Sequence, residues 1–224
     1  MVVSSATAYR LWAPSYDTDP NPLLALEERI ARDLVPDVHS QVVIDVGCGT
    51  GRSMVRYGRW GALTFGVDPC AEMLDEARRK PGLSKRIVQA EASYLPFSDR
   101  IADLTVCSFA LSYFQDLTRS LAELSRITKR TGRILISDLH PGAVAAGWTR
   151  SFRIGTNTYE IAHARYREGK VQAACNSAGL QVLTERDAGF SDPERAVFAA
   201  AGKEHVYLTL IGKPAVRVIL CKKL

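Results

Sequence analysis

The chain has 224 residues, of which 46% are hydrophobic and 24% are charged, enough for one globular α/β domain with a sizeable core. No apolar run approaches the roughly 18 residues of a membrane span, and the first residues lack the basic and apolar regions of a signal peptide. We therefore expect a cytoplasmic protein with no membrane partner. The net charge of +5 comes from small basic clusters with acids between them, which favours solvated helix faces over nucleic-acid binding.

The five cysteines are odd in number, and none of them stands in a C-x-x-C pair. Both features argue against a zinc site and against a disulfide framework. We expect these residues to be reduced thiols.

In chain order, the first helix signal is Asn21-Pro22, because Asn caps a helix and Pro fits its first turn. The segment before it is aromatic, and the segment after it alternates strand-like and helix-like patterns. Strands are predicted at 42–46, 62–68, 86–90, 103–110 and 133–139, and helices at 23–34, 52–60, 71–80 and 117–129. Such alternation predicts a parallel sheet with helices on both faces.

The last third of the chain has a different character. Residues 141–166 show no long helical period, and 152–163 predict a small hairpin that turns at Gly155–Asn157. A helix near 168–178, a strand at 180–186, a helix at 192–202 and a closing strand at 215–223 follow.

The first strand runs into a glycine-rich turn, "VVIDVGCGTGRS", at residues 42–53. Glycines at every second position suit a sharp strand-to-helix turn that a ligand approaches closely. The spacing is G-x-G-x-G, which differs from the G-x-G-x-x-G of dinucleotide enzymes.

This turn and four later stretches resemble class I S-adenosylmethionine (SAM)-dependent methyltransferases, in particular their small bacterial "type 11" branch. The likeness covers about residues 41–140 and, more loosely, the closing strand. It implies an α/β fold with a doubly wound, mostly parallel, Rossmann-like sheet and an antiparallel closing strand. It also implies a single domain with an N-terminal cover and helix (1–40), a SAM-binding core (41–140) and an acceptor-site cover with closing strands (141–224).

The resemblance also implies which residues hold SAM. Asp68 ends the stretch "TFGVD" and would accept hydrogen bonds from both ribose hydroxyls, since a carboxylate offers two acceptor oxygens at one point. Glu91 stands where relatives usually carry Asp and would accept from the adenine amino group, while the Ala92 amide would donate to the ring. The methionine part would lie against the glycine turn. The remaining cofactor candidates are Asp45, Gly47, Cys48, Gly49, Gly51, Pro69, Met73, Ser108 and Tyr16.

The acceptor side is less defined. Many relatives carry histidines where this chain has Ser112 and Tyr113, so a histidine mechanism at that position is in doubt. His140 is the leading general-base candidate, because it follows the fifth strand at its carboxyl end and Pro141 should keep it from starting a helix. Tyr113 is the second catalytic candidate. The candidate acceptor-binding residues are Tyr9, Trp12, Tyr113, His140 and His163.

The expected reaction is a direct in-line transfer of the SAM methyl group to a small-molecule substrate, which leaves S-adenosylhomocysteine and requires no metal. Two other functions stay open, an RNA or protein methyltransferase and a non-enzymatic SAM-binding module. The acceptor, the atom that is methylated and the choice between monomer and homodimer are not decided by these patterns.

Overall fold

The computed structural model describes residues 1–35 and 37–224. The described strands are β1 (Val2–Val3), β2 (Val42–Val46), β3 (Leu63–Asp68), β4 (Ile87–Gln89), β5 (Ala102–Ser108), β6 (Thr128–Leu139), β7 (Arg150–Ile154), β8 (Asn157–Ile161), β9 (Leu180–Gly189) and β10 (Pro214–Lys223). The helices are α1 (Ser5–Trp12), α2 (Pro22–Leu34), α3 (Arg52–Arg59), α4 (Ala71–Arg78), α5 (Leu117–Ile127), α6 (Pro141–Ala145), α7 (Lys170–Ser177), α8 (Asp192–Ala200) and α9 (Glu204–Leu210).

The large sheet has the strand order β4-β3-β2-β5-β6-β10-β9. Its first five strands are parallel to one another, and β10 runs antiparallel to both β6 and β9. The predicted fold class, a mostly parallel doubly wound sheet with an antiparallel closing strand, is confirmed. The chain winds outwards in opposite directions from β2, which pairs with β3 on one side and β5 on the other. Such a switch point is where open α/β sheets bind ligands.

Two apolar layers enclose this sheet. Val43 belongs to the cluster that packs against α2 and α8, whereas Ile44 belongs to the cluster that packs against α5 and α7. Neighbouring strand residues point to opposite faces, so β2 is buried on both sides. This double burial explains why its sequence is a continuous apolar run rather than an alternating one.

A second, small sheet has the order β1-β8-β7. The predicted hairpin is confirmed, since β7 and β8 pair around a turn in which Gly155 has a φ of 56°. Trp12 of α1 stacks on Phe152 of β7 with 5.0 Å between ring centroids. Because α1 also contacts α4, the N-terminal segment and the hairpin lie together near the carboxyl edge of the large sheet.

Several elements differ from expectation, and β1 and α1 are two of them, since no strand or helix was predicted before Asn21. Helix α9 was not predicted, and α6 begins directly at Pro141, where the sequence argued against a helix. Pro141 does hold His140 in an extended conformation, with φ −61° and ψ 131°. An extended residue followed by Pro is, however, also the geometry of a helix N-cap with Pro at the first helical position. Within the part of the chain that the structure describes, no helix has the length and hydropathy needed to cross a bilayer.

Candidate functional site

A cavity of about 470 Å³ lies at the carboxyl ends of β2, β3 and β5, beside the switch point. This volume is within the range of small-molecule sites, which is roughly 300–1,000 Å³. The sequence-derived candidates that line it are Asp45, Gly47, Cys48, Gly49, Asp68, Pro69, Met73, Glu91, Ala92, Ser108, Tyr9, Tyr16 and Tyr113.

The glycine turn forms one wall of this cavity. Its first amides are held by the next strand, because Gly47 N and Cys48 N donate to Val67 O at 2.8 and 2.9 Å. Gly47 has a φ of 79°, and a Cβ at this position would overlap the Cβ of Ala110. Gly49 has a φ of 53° and open space where its Cβ would be. The turn therefore needs glycine for its backbone shape, and at Gly49 it presents bare backbone to the cavity.

Gly51 is the one glycine-turn candidate that does not line the cavity. It is the left-handed N-cap of α3, and Leu83 occupies the space in which its Cβ would lie. Its function in the structure is to turn the chain and to let α3 pack closely.

Asp68 connects two walls of the cavity. Its Oδ2 accepts from Gly49 N at 2.8 Å, and its Oδ1 accepts from Cys70 N at 2.9 Å. Burial raises the pKa of this carboxyl to about 6, although the two amide bonds act in the opposite direction. A carboxylate has about four lone-pair sites, so each oxygen retains capacity for a further donor from a ligand.

A buried acidic network lies beneath the glycine turn. Burial raises the pKa of Asp45 to about 7, while the nearby Arg56 lowers it. Glu27 of α2 also lines the cavity, and its Oε1 accepts from Ser108 Oγ at 2.8 Å and from Ser137 Oγ at 3.2 Å. Its Oε2 accepts from Arg56 Nη1 at 3.4 Å. The Glu27 carboxylate of α2 thus contacts β5, β6 and α3, which are distant from one another in sequence.

Sequence reasoning missed Glu27, although a signal was available. It stands three residues after Leu24 and three before Ile30, on the buried stripe of α2. An acid at such a position is rarely buried without a partner, so it marks a polar network inside the fold.

The N-terminal segment is fastened to the glycine turn by Asp17. Its Oδ1 accepts from Thr50 Oγ1 at 2.7 Å, and its Oδ2 pairs with Lys80 Nζ at 2.6 Å. Lys80 Nζ also donates to Thr50 O at 2.6 Å. This three-residue contact fixes the segment that carries Tyr16 at the edge of the cavity.

Tyrosines form the opposite wall. The rings of Tyr9 and Tyr113 meet edge-to-face at 5.4 Å between centroids, and Tyr16 lies 6.3 Å from Tyr9. Burial raises the pKa of both Tyr9 and Tyr16, so these phenols are neutral at physiological pH. Behind them, Arg150 Nη1 donates to Tyr113 Oη at 3.2 Å and to Phe109 O at 2.6 Å. Sequence reasoning also missed Arg150.

Two further acceptor-site candidates lie away from this cavity. Trp12 is buried, stacks on Phe152 and donates from Nε1 to Asp19 Oδ2 at 2.7 Å, so it supports the tyrosine wall from behind. His163 lines a second, much smaller cavity, and its Nδ1 is 3.0 Å from Ile161 O.

His140 also lies elsewhere, and the expectation that it lines the acceptor pocket is not met. Its Nδ1 accepts from Gly142 N at 3.0 Å, as the cap of α6. Its Nε2 lies 3.2 Å from both Asp187 Oδ2 and Arg217 Nη2, within an ion cluster on β9 and β10. Both ring nitrogens are therefore engaged. None of the histidines in the described residues lines the large cavity.

Comparison with known proteins supports the resemblance. The family model Methyltransf_11, described as a methyltransferase domain, matches residues 44–136. Demethylmenaquinone methyltransferase of Thermus thermophilus is 30% identical over 219 residues, which are 92% of this chain and 96% of that protein. A S-adenosylmethionine-dependent methyltransferase structure from Mesorhizobium loti superposes with a TM-score of 0.69 at 20% identity, covering 91% of this chain and all of that chain.

Other relatives match over less of their length. Demethylmenaquinone methyltransferase of Thermobifida fusca is 37% identical over 44% of this chain and 43% of its own length. Malonyl-[acyl-carrier protein] O-methyltransferase of Yersinia pestis is 30% identical over 62% of this chain and 51% of its own length. The chain thus spans about half the length of several of the relatives that it matches.

Fold, site and relatives define one class of protein. The chain belongs to the class I SAM-dependent methyltransferases, the family whose methyl donor is SAM.

Proposed function

We propose that this chain transfers the methyl group of SAM to a small organic acceptor. SAM would lie against the glycine turn and its acids, and the acceptor would lie against the tyrosines. The observation that carries this proposal is that one continuous cavity has these two chemically different walls. One wall offers backbone and carboxylates, and the other offers flat apolar rings with polar tips.

The residues on the first wall suit SAM. Bare backbone at Gly49 leaves room for the methionine part, and the Asp68 carboxylate lies beside it with lone pairs for the ribose hydroxyls. Glu91 and Ala92 line the same cavity and would serve the adenine amino group and ring.

When bound, SAM supplies a methyl group on a sulfonium; the acceptor's lone pair takes this methyl, and the electrons of the broken C–S bond remain on sulfur as S-adenosylhomocysteine forms. The chain's own contribution is to place the acceptor in line and to exclude water. Asp17 and Lys80 would serve this purpose by holding the N-terminal segment over the cavity.

Tyr113 is proposed to orient the acceptor. Its hydroxyl oxygen accepts a hydrogen bond from Arg150, so its own proton is available to an acceptor oxygen. No histidine lies among the described lining residues, so we assign no histidine general base.

The names of the relatives support a small organic group, rather than RNA, as the methyl acceptor. Their names specify demethylmenaquinone and malonyl-[acyl-carrier protein] as acceptors of those proteins. None of these acceptors is a nucleic acid.

Incubation of the protein with methyl-labelled SAM and a cell extract of its own organism would test the proposal. We expect the label in the low-molecular-weight fraction, with a large loss in Tyr113→Phe and no change in Tyr94→Phe, a control on an exposed surface. Label that appears only in nuclease- or protease-sensitive material would contradict the proposal, and so would a failure to label anything.

A further inference from the structure

Ser108 lies where the two walls of the large cavity meet. It is the last residue of β5, it is half-buried, and it lines the cavity. The residues that follow it connect the walls, because Ala110 lies against Gly47 of the glycine turn and Tyr113 belongs to the tyrosine side. A methyl group that passes from a donor on one wall to an acceptor on the other therefore crosses the cavity close to Ser108.

The hydroxyl of Ser108 has a defined direction. Its Oγ donates to Glu27 Oε1 at 2.8 Å, and Ser137 Oγ donates to the same oxygen at 3.2 Å. Because an ionised carboxylate only accepts hydrogen bonds, this contact commits the Ser108 proton to Glu27 and leaves lone pairs on the Ser108 oxygen. A ligand group that binds Ser108 in this state is thus a hydrogen-bond donor.

The Glu27 carboxylate lies inside the fold among charged and titratable groups. Arg56 Nη1 of α3 lies 3.4 Å from its Oε2 and supplies a counter-charge. Tyr57 of α3 and Asp45 of β2 are close enough to interact with it electrostatically. Glu27 is only 1% exposed, whereas its partner Ser108 is half-buried, so Ser108 is the connection between this carboxylate and a ligand.

The other acids of the cavity lining have different contacts. Asp68 accepts from the amides of Gly49 and Cys70, and Glu72 accepts from Cys70 Sγ at 3.5 Å. Among the described acids that line the cavity, Glu27 alone is hydrogen-bonded to the segment 108–110. A proton that leaves the acceptor at this junction therefore has one carboxylate within reach of its path.

We propose that Ser108 and Glu27 form a proton relay, and that the acceptor is an O–H or N–H group that loses its proton during methyl transfer. The acceptor donates its hydrogen bond to Ser108 Oγ. Its lone pair forms the bond to the methyl carbon, the C–S bond breaks, and the electron pair of that bond stays on sulfur. The acceptor's proton moves to Ser108 Oγ as the Ser108 proton moves to Glu27 Oε1. After product release the proton returns to solvent by the reverse path.

This inference rests on the proposed function, because it assumes that SAM and the acceptor occupy the two walls. The test uses the full chain, methyl-labelled SAM and a deproteinised cell extract. Glu27→Gln keeps the shape of the side chain and an oxygen for Ser108, but it takes no proton. Its maximal labelling rate should fall by about 10²–10⁴-fold, while the half-saturating amount of extract and the calorimetric affinity for SAM stay within about twofold of wild type.

Two control variants separate the relay from a merely structural network. Glu28→Gln changes the next residue of α2, whose side chain is 38% exposed, and should behave as wild type. Ser108→Ala interrupts the relay and should lose rate as Glu27→Gln does. Ser137→Ala removes the other hydroxyl from Glu27 Oε1, but Ser137 is buried and does not line the cavity, so its loss should be much smaller.

The possible outcomes separate the two proposals. A rate of Glu27→Gln equal to that of wild type would overturn the relay and leave the methyltransferase proposal intact. Equal losses in Ser108→Ala and Ser137→Ala would overturn it as well, and so would a labelled product whose new methyl group is on carbon. A weakened affinity of Ser108→Ala for SAM would assign Ser108 to the cofactor instead. A wild type that labels nothing would overturn both proposals. If Glu27→Gln fails to fold, the comparison of Ser108→Ala with Ser137→Ala decides.

Discussion

The glycine side and the tyrosine side of the cavity are built in opposite ways. The glycine side comes from consecutive turns of one stretch of chain, between Asp45 and Ala92, and is held by backbone hydrogen bonds such as Gly47 N to Val67 O. The tyrosine side is assembled from both halves of the chain, with Tyr9 on α1, Tyr113 after β5 and Arg150 on β7. Local sequence therefore specifies the first wall, whereas only tertiary packing creates the second.

The largest effect is expected from crowding the glycine side. Gly47→Ala should lower the free energy of unfolding by about 2–5 kcal/mol, because a positive φ costs about 1–2 kcal/mol for alanine and overpacking against Ala110 adds about 1–3 kcal/mol. Gly82→Ala is the matched control, since it has nearly the same φ but open space around its Cβ. Urea unfolding of both variants separates the cost of the overlap with Ala110 from the cost of the positive φ. Equal losses in free energy of unfolding would show that the close approach of Gly47 to Ala110 does not contribute.

Removal of the Asp68 carboxylate should affect SAM binding next most strongly. Asp68→Ala is expected to weaken binding by about 2–3 kcal/mol, from the loss of hydrogen bonds to a charged acceptor. Calorimetry on this variant and on Asp75→Ala, an exposed acid of α4, measures the difference. An unchanged affinity in Asp68→Ala would place the ribose elsewhere in the cavity.

The glycine side should also respond to pH through Asp45. A folded-state pKa of about 7 lies above the usual value near 4, so the fold favours the protonated carboxyl. Its contribution to stability is complete below about pH 4 and is lost as pH rises through about 7. The free energy of unfolding of Asp45→Asn, relative to that of wild type, should therefore increase by on the order of 1–3 kcal/mol between pH 5 and pH 8.

Urea unfolding at the two pH values measures this gain, with Asp75→Asn as the control. A constant difference between Asp45→Asn and wild type across this range would mean that Asp45 is ionised at pH 5 and that Arg56 dominates its environment.

The smallest effect should come from the contact that joins the two sides. Lys80→Met removes the pair with Asp17 and the bond to Thr50 O, and it should weaken SAM binding by about 1 kcal/mol or less, as is usual for partly exposed pairs. Lys85→Met is the exposed control. A loss as large as that of Asp68→Ala would show that the N-terminal segment binds SAM directly.

The sequence predicted most of the fold because its signals are local. The β-branched run at 42–46, the cap at Asn21 and the turn at Gly155 each specify their own element, and the structure contains all three. Helix α9 was not predicted because its buried residue is Tyr207 and its sequence has no strong helical periodicity of apolar residues.

The candidate site was predictable only where a motif carried it. Asp68 and Glu91 were assigned from the motif resemblance, and both line the cavity. Arg150 and Glu27 were not, because the sequence around a charged residue does not reveal partners that are distant along the chain. His140 was placed in the wrong environment for the same reason, as its partner Arg217 comes from β10, far along the chain.

The central claim is that the two walls hold two different ligands in one cavity, and a crystal structure with S-adenosylhomocysteine tests it most directly. The account predicts that the ribose hydroxyls donate to the Asp68 carboxylate and that the sulfur faces Tyr113 and Tyr16. A ribose away from Asp68, or a sulfur directed away from the tyrosines with the adenine lying among them, would contradict it.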